Sequence, residues 1–171
     1  MNIVVNKDIG AVVDLVRIGA ASSVTAGGAG DNTLVVGSWI DRNGFGAGPV
    51  ALPGNAAGNY AGGSPAMSAL VSIAYSAVLA AGQSLRMALL VEDSVDGVTP
   101  NTYQTIAAVQ AAISAAGGTV NGQIGFHVFL GSARRYVRFS WTPDLSAASI
   151  DTASIFPMCA LGGFDRLPSP N

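Results

Sequence analysis

The run from Ser68 to Asp96 shows the clearest pattern of apolar and polar positions in the chain. Ala69, Val71, Ile73, Tyr75, Ala77 and Leu79 fall on one parity, with Ser68, Ser72, Ala74 and Ser76 on the other. A second run alternates Leu85, Met87, Leu89 and Val91 with Ser84, Arg86, Ala88 and Glu92. A period of two marks strands with one buried face, because successive side chains point to opposite sides of a sheet. Ala80-Ala81-Gly82-Gln83 separates the runs, and Gly82 can supply the positive φ of a tight reversal. The two runs are therefore expected to fold back on each other as a hairpin. Asp93 to Gly97 supplies the next turn signal.

The same reading extends along the chain. Met1 to Ala21 mixes short apolar stretches with isolated charges, and Ile9 to Ile18 fits either a strand or a helical turn or two. Ala20 to Gly30 reads as a flexible Gly/Ala/Ser linker. This gives an N-terminal arm and linker over residues 1–30 and a β-domain with an extended C-terminal tail over 31–171. Asn32 to Asp41 is a strand candidate in which Gly37 marks a bulge or a close approach. Arg42 to Pro65, dominated by Gly, Ala, Asn and Pro, is either a plain surface loop or a segment that lies on a partner. Thr105 to Ala116 scores as helix on propensity, and Ile106, Val109 and Ile113 fit a helical face. In an otherwise all-β chain it is read as a strand. Gln123 to Leu130 and Arg135 to Thr142 are strong strands with a hairpin-like Gly131-Ser132-Ala133 between them. Pro143-Asp144 is expected to start a loop. In the last strand, Thr152 to Leu161, Pro157 predicts an edge position or a bulge. The fold class is all-β: a single antiparallel β-sandwich or barrel-like domain with an N-terminal arm and a long Gly-rich loop.

Composition changes the picture of the surface. Charged residues are 11% of the chain, against about 25% in an ordinary soluble domain. Hydrophobic residues are 50%, and there are 22 Gly. The uncharged run Met67 to Ser84 is nearly long enough to span a bilayer. Its serines, its strand-like alternation and its lack of flanking Lys or Arg argue against a transmembrane helix. Long alternating apolar runs argue against disorder. A globular protein whose surface is largely covered by neighbours remains. The net charge of −2 and the absence of a basic tail give no reason to expect a nucleic-acid partner. Residues Met1 to Asp8 do not read as a signal peptide. The single cysteine, Cys159, lies in an apolar run and is expected to be a buried, inert thiol of a chain made in a reducing cytoplasm.

Little in the sequence promises catalysis. The one histidine, His127, lies opposite the Ile124/Phe126/Val128 parity with no carboxylate near in sequence, and is read as a surface or interface residue. No nucleophile elbow, paired-histidine zinc motif, Walker loop or dinucleotide fingerprint occurs. Glu92, Asp93 and Asp96 do not match a calcium loop, and the two aspartates are read as turn formers. No catalytic residue, cofactor or metal is therefore expected. Arg134, Tyr136 and Arg138 share a parity and form the densest charge in the chain, either a solvated strand face or an interface. The candidate interface residues are Ile3, Val5 and Lys7 in the arm, Asn43, Phe45, Asn59 and Tyr60 in the Gly-rich loop, and Arg134, Tyr136 and Arg138.

In its last hundred or so residues the chain resembles virion proteins of tailed bacteriophages. The resemblance rests on Ser132-Ala133-Arg134-Arg135-Tyr136-Val137-Arg138, Thr142-Pro143-Asp144-Leu145-Ser146-Ala147, Asp151-Thr152-Ala153 and Leu161-Gly162-Gly163-Phe164-Asp165-Arg166-Leu167-Pro168. It extends to Ala80-Ala81-Gly82-Gln83-Ser84-Leu85 and Glu92-Asp93-Ser94-Val95-Asp96-Gly97. It implies a capsid decoration (cement) protein: a β-rich unit, often a trimer, that attaches to the major capsid protein on the outside of the virion. That role involves neither nucleic acid nor membrane. A tail or head–tail connector component is the alternative within the particle. A β-sandwich module for carbohydrate or a host surface is the alternative outside it, and it requires an exposed aromatic platform.

Overall fold

The computed structural model describes residues 14–42, 60–61, 65–146, 150–163 and 169–170. They form β1 (Asp14–Val16), β2 (Ser22–Thr25), β3 (Ile40–Asp41), β4 (Tyr60–Ala61), β5 (Ser68–Leu79), β6 (Gln83–Ser94), β7 (Asn101–Ser114), β8 (Gly118–Phe129), β9 (Tyr136–Leu145), β10 (Thr152–Gly162) and β11 (Ser169–Pro170). No helix occurs among the described residues. Two antiparallel sheets make a sandwich, so the all-β expectation holds. In sheet one β8 pairs with β5, β5 with β10, and β10 with both β1 and β2. In sheet two the order is β3-β9-β6-β7. Successive strands thus cross between the sheets in the double Greek-key order of a jelly roll. A two-stranded β4–β11 pair stands apart.

This topology corrects the hairpin expectations. β5 and β6 do not pair with each other; the Ala80 to Gly82 turn, with Gly82 at φ 78°, carries the chain from sheet one to sheet two. The turn at Gly131 to Ala133 likewise takes β8 in sheet one to β9 in sheet two. The alternation was sound, but a period of two reports a buried face and not the neighbouring strand. Both inner faces meet in one core: Val71, Ile73, Phe126, Ile155 and Leu161 from sheet one, and Leu85, Met87, Leu89, Phe139 and Trp141 from sheet two. Cys159 is buried there too, as its apolar setting predicts.

The segment read as a linker is partly structured. Ser22–Thr25 runs along β10, and Gly27 and Gly30 take positive φ in the turn that follows. Gly-rich composition here serves a tight turn rather than slack. Pro143 lies inside β9 rather than opening a loop. Its carbonyl accepts from the Asn32 N–H at 2.9 Å, so its nitrogen faces that same side, away from β6, near the end of pairing. β10 is central rather than an edge, but β2 covers only Thr152 to Ile155 and β1 only Cys159 to Leu161. Pro157 falls in the gap between them, a local edge within a central strand.

The Asn32 to Asp41 segment pairs with β9 at two places. Val35 bridges Trp141 through bonds of 2.8 and 3.1 Å, and Ile40 pairs with Val137. This chain advances five residues (35 to 40) while its partner moves four (141 to 137), so one extra residue is inserted. Gly37 sits in that bulge. A Cβ there would lie 2.0 Å from the Phe139 carbonyl oxygen, so the position is a close backbone approach as well.

Candidate functional site: one charged end and one uncharged face

Most of the charge in the described part of the molecule is used internally. At one end of sheet two Glu92 and Arg138 are direct cross-strand partners on its outer face. The Arg138 guanidinium donates to both Glu92 carboxylate oxygens, from Nε at 2.6 Å and from an Nη at 3.1 Å. It also stacks 4.6 Å from the centre of the Trp39 ring. Arg135 donates to Asp41 at 3.0 and 2.7 Å and lies over Tyr136. The Asp41 carboxylate holds the Arg135 guanidinium above its usual pKa. Arg42 donates to the carbonyls of Leu130 and Ala133. Its burial lowers its pKa from the ordinary arginine value. Asp93 is buried and accepts from the Arg134 N–H at 2.9 Å and the Asn101 side-chain amide at 2.8 Å. Asp93 is thus an anchor between loops rather than a turn former.

Asp96 does form the turn. Its carboxylate accepts from the Ser94 hydroxyl at 2.6 Å, the Val98 and Thr99 N–H groups and the Thr99 hydroxyl. These donors, led by Ser94, hold its pKa well below the usual carboxylate range. Glu92, Asp93 and Asp96 therefore face different partners. Among the described residues no group of three His, Cys, Asp or Glu is placed to hold a metal ion.

The predicted interface residues separate. Arg138 belongs to the internal lock, with its side chain 17% exposed. Tyr136 is half-buried in β9, and Arg134 is exposed beside it. Ile3, Val5, Lys7, Asn43, Phe45 and Asn59 lie outside the described residues, and Tyr60 lies in β4. Both tryptophans are buried, Trp39 against Arg138 and Trp141 in the core, where a Cβ on Gly19 would strike its ring.

Sheet one presents the opposite surface. Its outward positions line up across β8, β5 and β10 in rows: Phe129, Ser68, Gly162; His127, Leu70, Ala160; Gly125, Ser72, Met158; Gln123, Ala74, Phe156; Asn121, Ser76, Ser154; Thr119, Val78, Thr152. None carries Asp, Glu, Lys or Arg. The outer face of sheet two carries Arg86, Glu92, Arg138 and Asp144. Phe129, Met158, Phe156 and Val78 are exposed on the uncharged face. A shallow groove of about 600 Å³ crosses its end between Leu70, His127, Phe129 and Gly162. A second, smaller one lies where Leu15 and Arg17 adjoin Phe156 and Met158. His127 is exposed on the wall of the first groove, consistent with its reading as a surface residue. Sequence reasoning anticipated the small, uncharged outer parity of β5. It did not anticipate that β8 and β10 would extend it, because the neighbours of β5 are distant in sequence.

The edges beside this face are also uncharged. β7 and β8 end their sheets, and two tyrosines tie β7 across to sheet one, one from β5 to β7 and one from β7 to β8. Tyr75 donates to the Ala111 carbonyl at 2.6 Å, and Tyr103 donates to the Phe129 carbonyl at 2.9 Å. Gly122 lets Tyr75 pass, since a Cβ there would sit 2.5 Å from its hydroxyl.

No family model matches the chain, and no curated protein matches it. Among solved structures it is similar to the VP2 subviral particle of infectious bursal disease virus, at 10% identity and TM-score 0.41 over 92% of this chain and 38% of that one. The N-terminal CBM22-1–GH10 modules of Clostridium thermocellum xylanase 10B give 14% identity and TM-score 0.39 over 94% of this chain and 30% of that one. Eiger TNF from S. frugiperda gives 10% identity and TM-score 0.38 over 94% and 97%. The chain spans about a third of the length of the bursal disease virus chains it matches.

Proposed function

We propose that this protein is a non-enzymatic structural component of a phage particle that decorates the capsid, binding the outer surface of the major capsid protein and bridging neighbouring subunits. The observation that carries the reading is the division of its surface. Charge is spent on internal ion pairs, while the outer face of β8, β5 and β10 carries only apolar and uncharged polar residues, with Arg17 at its margin. A strand face made for water alone would carry Lys or Glu; a face with neither suits burial against a protein. The phage resemblance of the sequence supports the choice of particle. Many copies on a repeating lattice then make modest contacts additive. The burial of Trp39 and Trp141 weakens the carbohydrate-module reading, since neither can serve an exposed platform.

The test is co-sedimentation with capsids lacking the protein, with bound copies counted by gel densitometry. The intact chain is expected to saturate the particles. Leu70→Glu with Met158→Glu is expected to abolish binding while the circular dichroism stays that of the native chain. Deleting Met1 to Val13, which leaves β1 in place, is expected to weaken occupancy. Normal occupancy by the double variant overturns the assignment of the uncharged face. Failure of the intact chain to bind capsids overturns the role itself.

A further inference from the structure

β8 is a long strand at the end of sheet one, touched on its outer side by Tyr103 at the Phe129 carbonyl. All twelve of its residues pair with β5 without a register shift, and among the described residues no strand pairs with its outer edge. Edge strands are normally blunted by Lys, Pro, bulges or a covering element, because open N–H and C=O groups template pairing with another chain. β8 has no Lys, Arg, Asp, Glu or Pro, and its register shows no bulge. β7 beside it differs: its three register irregularities against β6 twist it out of the flat form that strand addition needs.

We infer that β8 is a self-association edge, on which β8 of a second copy pairs antiparallel about a two-fold axis and joins the two sheets one into a continuous sheet. Charge favours the second copy as occupant. Two chains of net charge −2 repel over most of their surface, and an edge with no charge lets identical surfaces approach without opposing like charges. Area supports it too. Twelve residues span about 40 Å, and across a two-sheet edge this removes on the order of 500 Å² per copy. The adjoining Phe129 and His127 side chains bring the total towards the roughly 800 Å² per partner of a stable interface. The inference goes beyond the capsid role and does not depend on it, because the test uses the purified chain alone.

Sedimentation equilibrium of the intact chain is expected to give twice the chain mass, falling to the monomer on dilution. Asn121→Lys with Gln123→Lys puts four like charges along the joint. Both positions are exposed, so the fold is expected to be kept, with unchanged circular dichroism and Tm, while the dimer Kd rises at least tenfold. Thr33→Lys, far from the edge, is expected to leave the dimer intact. A chain that stays monomeric at high concentration, a mass of three copies, or a lysine variant that dimerises like the parent each overturns the inference. Capsid occupancy, measured separately, reports only on the proposed function.

Discussion

Gly37→Ala tests how sheet two is closed along β9. The added methyl would meet the Phe139 carbonyl oxygen at 2.0 Å and the Ile18 carbonyl oxygen at 3.0 Å, both of them backbone atoms. Ordinary contact begins near 3.4 Å, so the Val35 to Ile40 segment must retreat from β9 by more than 1 Å. Four hydrogen bonds depend on its present place: both between Val35 and Trp141, Ser38 N–H to the Ile18 carbonyl at 2.8 Å, and Gly37 N–H to the buried Ser140 hydroxyl at 3.3 Å. At about 1 kcal/mol net for each, losing most of them costs roughly 3 kcal/mol. Ser140 and the inner end of Trp39 would also gain water. Urea unfolding followed by tryptophan fluorescence is the assay, with an unchanged m-value as the sign of pure destabilisation. Gly82→Ala is the control. Nothing lies within 4 Å of its Cβ, so only the φ of 78° resists and about 1 kcal/mol is expected. If Gly37→Ala costs no more than Gly82→Ala, the close approach is not what holds this segment, and the reasoning fails.

Three other outcomes follow from the charged end and the core. Glu92→Ala leaves the largely buried Arg138 without its carboxylate and is expected to cost about 3 kcal/mol in the same urea assay. The Asp96 carboxylate has a depressed pKa in the fold, so its contribution is complete above its unfolded value near 4 and is lost as pH falls below it. The Val98 and Thr99 amide resonances are therefore expected to hold through about pH 4, where an unshifted aspartate would already be half-protonated, and to shift only in stronger acid. An Asp96→Asn chain should lack that acid transition. Cys159 is expected to react with a thiol reagent only at the rate at which the chain unfolds, and rapid labelling of the native protein would contradict its burial.

How much of this was legible depended on whether a signal is local. The faces of β5, β6, β8 and β9 could be read because each keeps a period of two over most of its length. β7 could not be read so cleanly, and its register says why. Against β6 it carries one extra residue near Ala111, another near Ala107 and a third at Tyr103. Each insertion shifts the parity, so Ile106, Val109 and Ile113 fall at helix-like spacings on what is a strand. Strand partners were hidden for another reason: of the paired strands, only β6 and β7 are consecutive in sequence. The ion pairs of Arg135 with Asp41 and Arg138 with Glu92 join residues that only the fold brings together. The uncharged parity of β5, with the low overall charge, was the sign of the candidate surface visible in the chain itself.

The place of β10 has a consequence for how the protein is made. Of the described long strands it is the last to be synthesised, yet it stands in the middle of sheet one, between β5 and the earlier β1 and β2 segments. Until residue 162 has emerged, nothing among the described residues joins the halves of that sheet, so the native sandwich is not completed before then. Such distant pairings also fold slowly, on a scale of milliseconds to seconds. During that interval the edge of β5 that β10 will cover stands open. A nascent chain stalled short of Thr152 is therefore expected to be the form most in need of a chaperone.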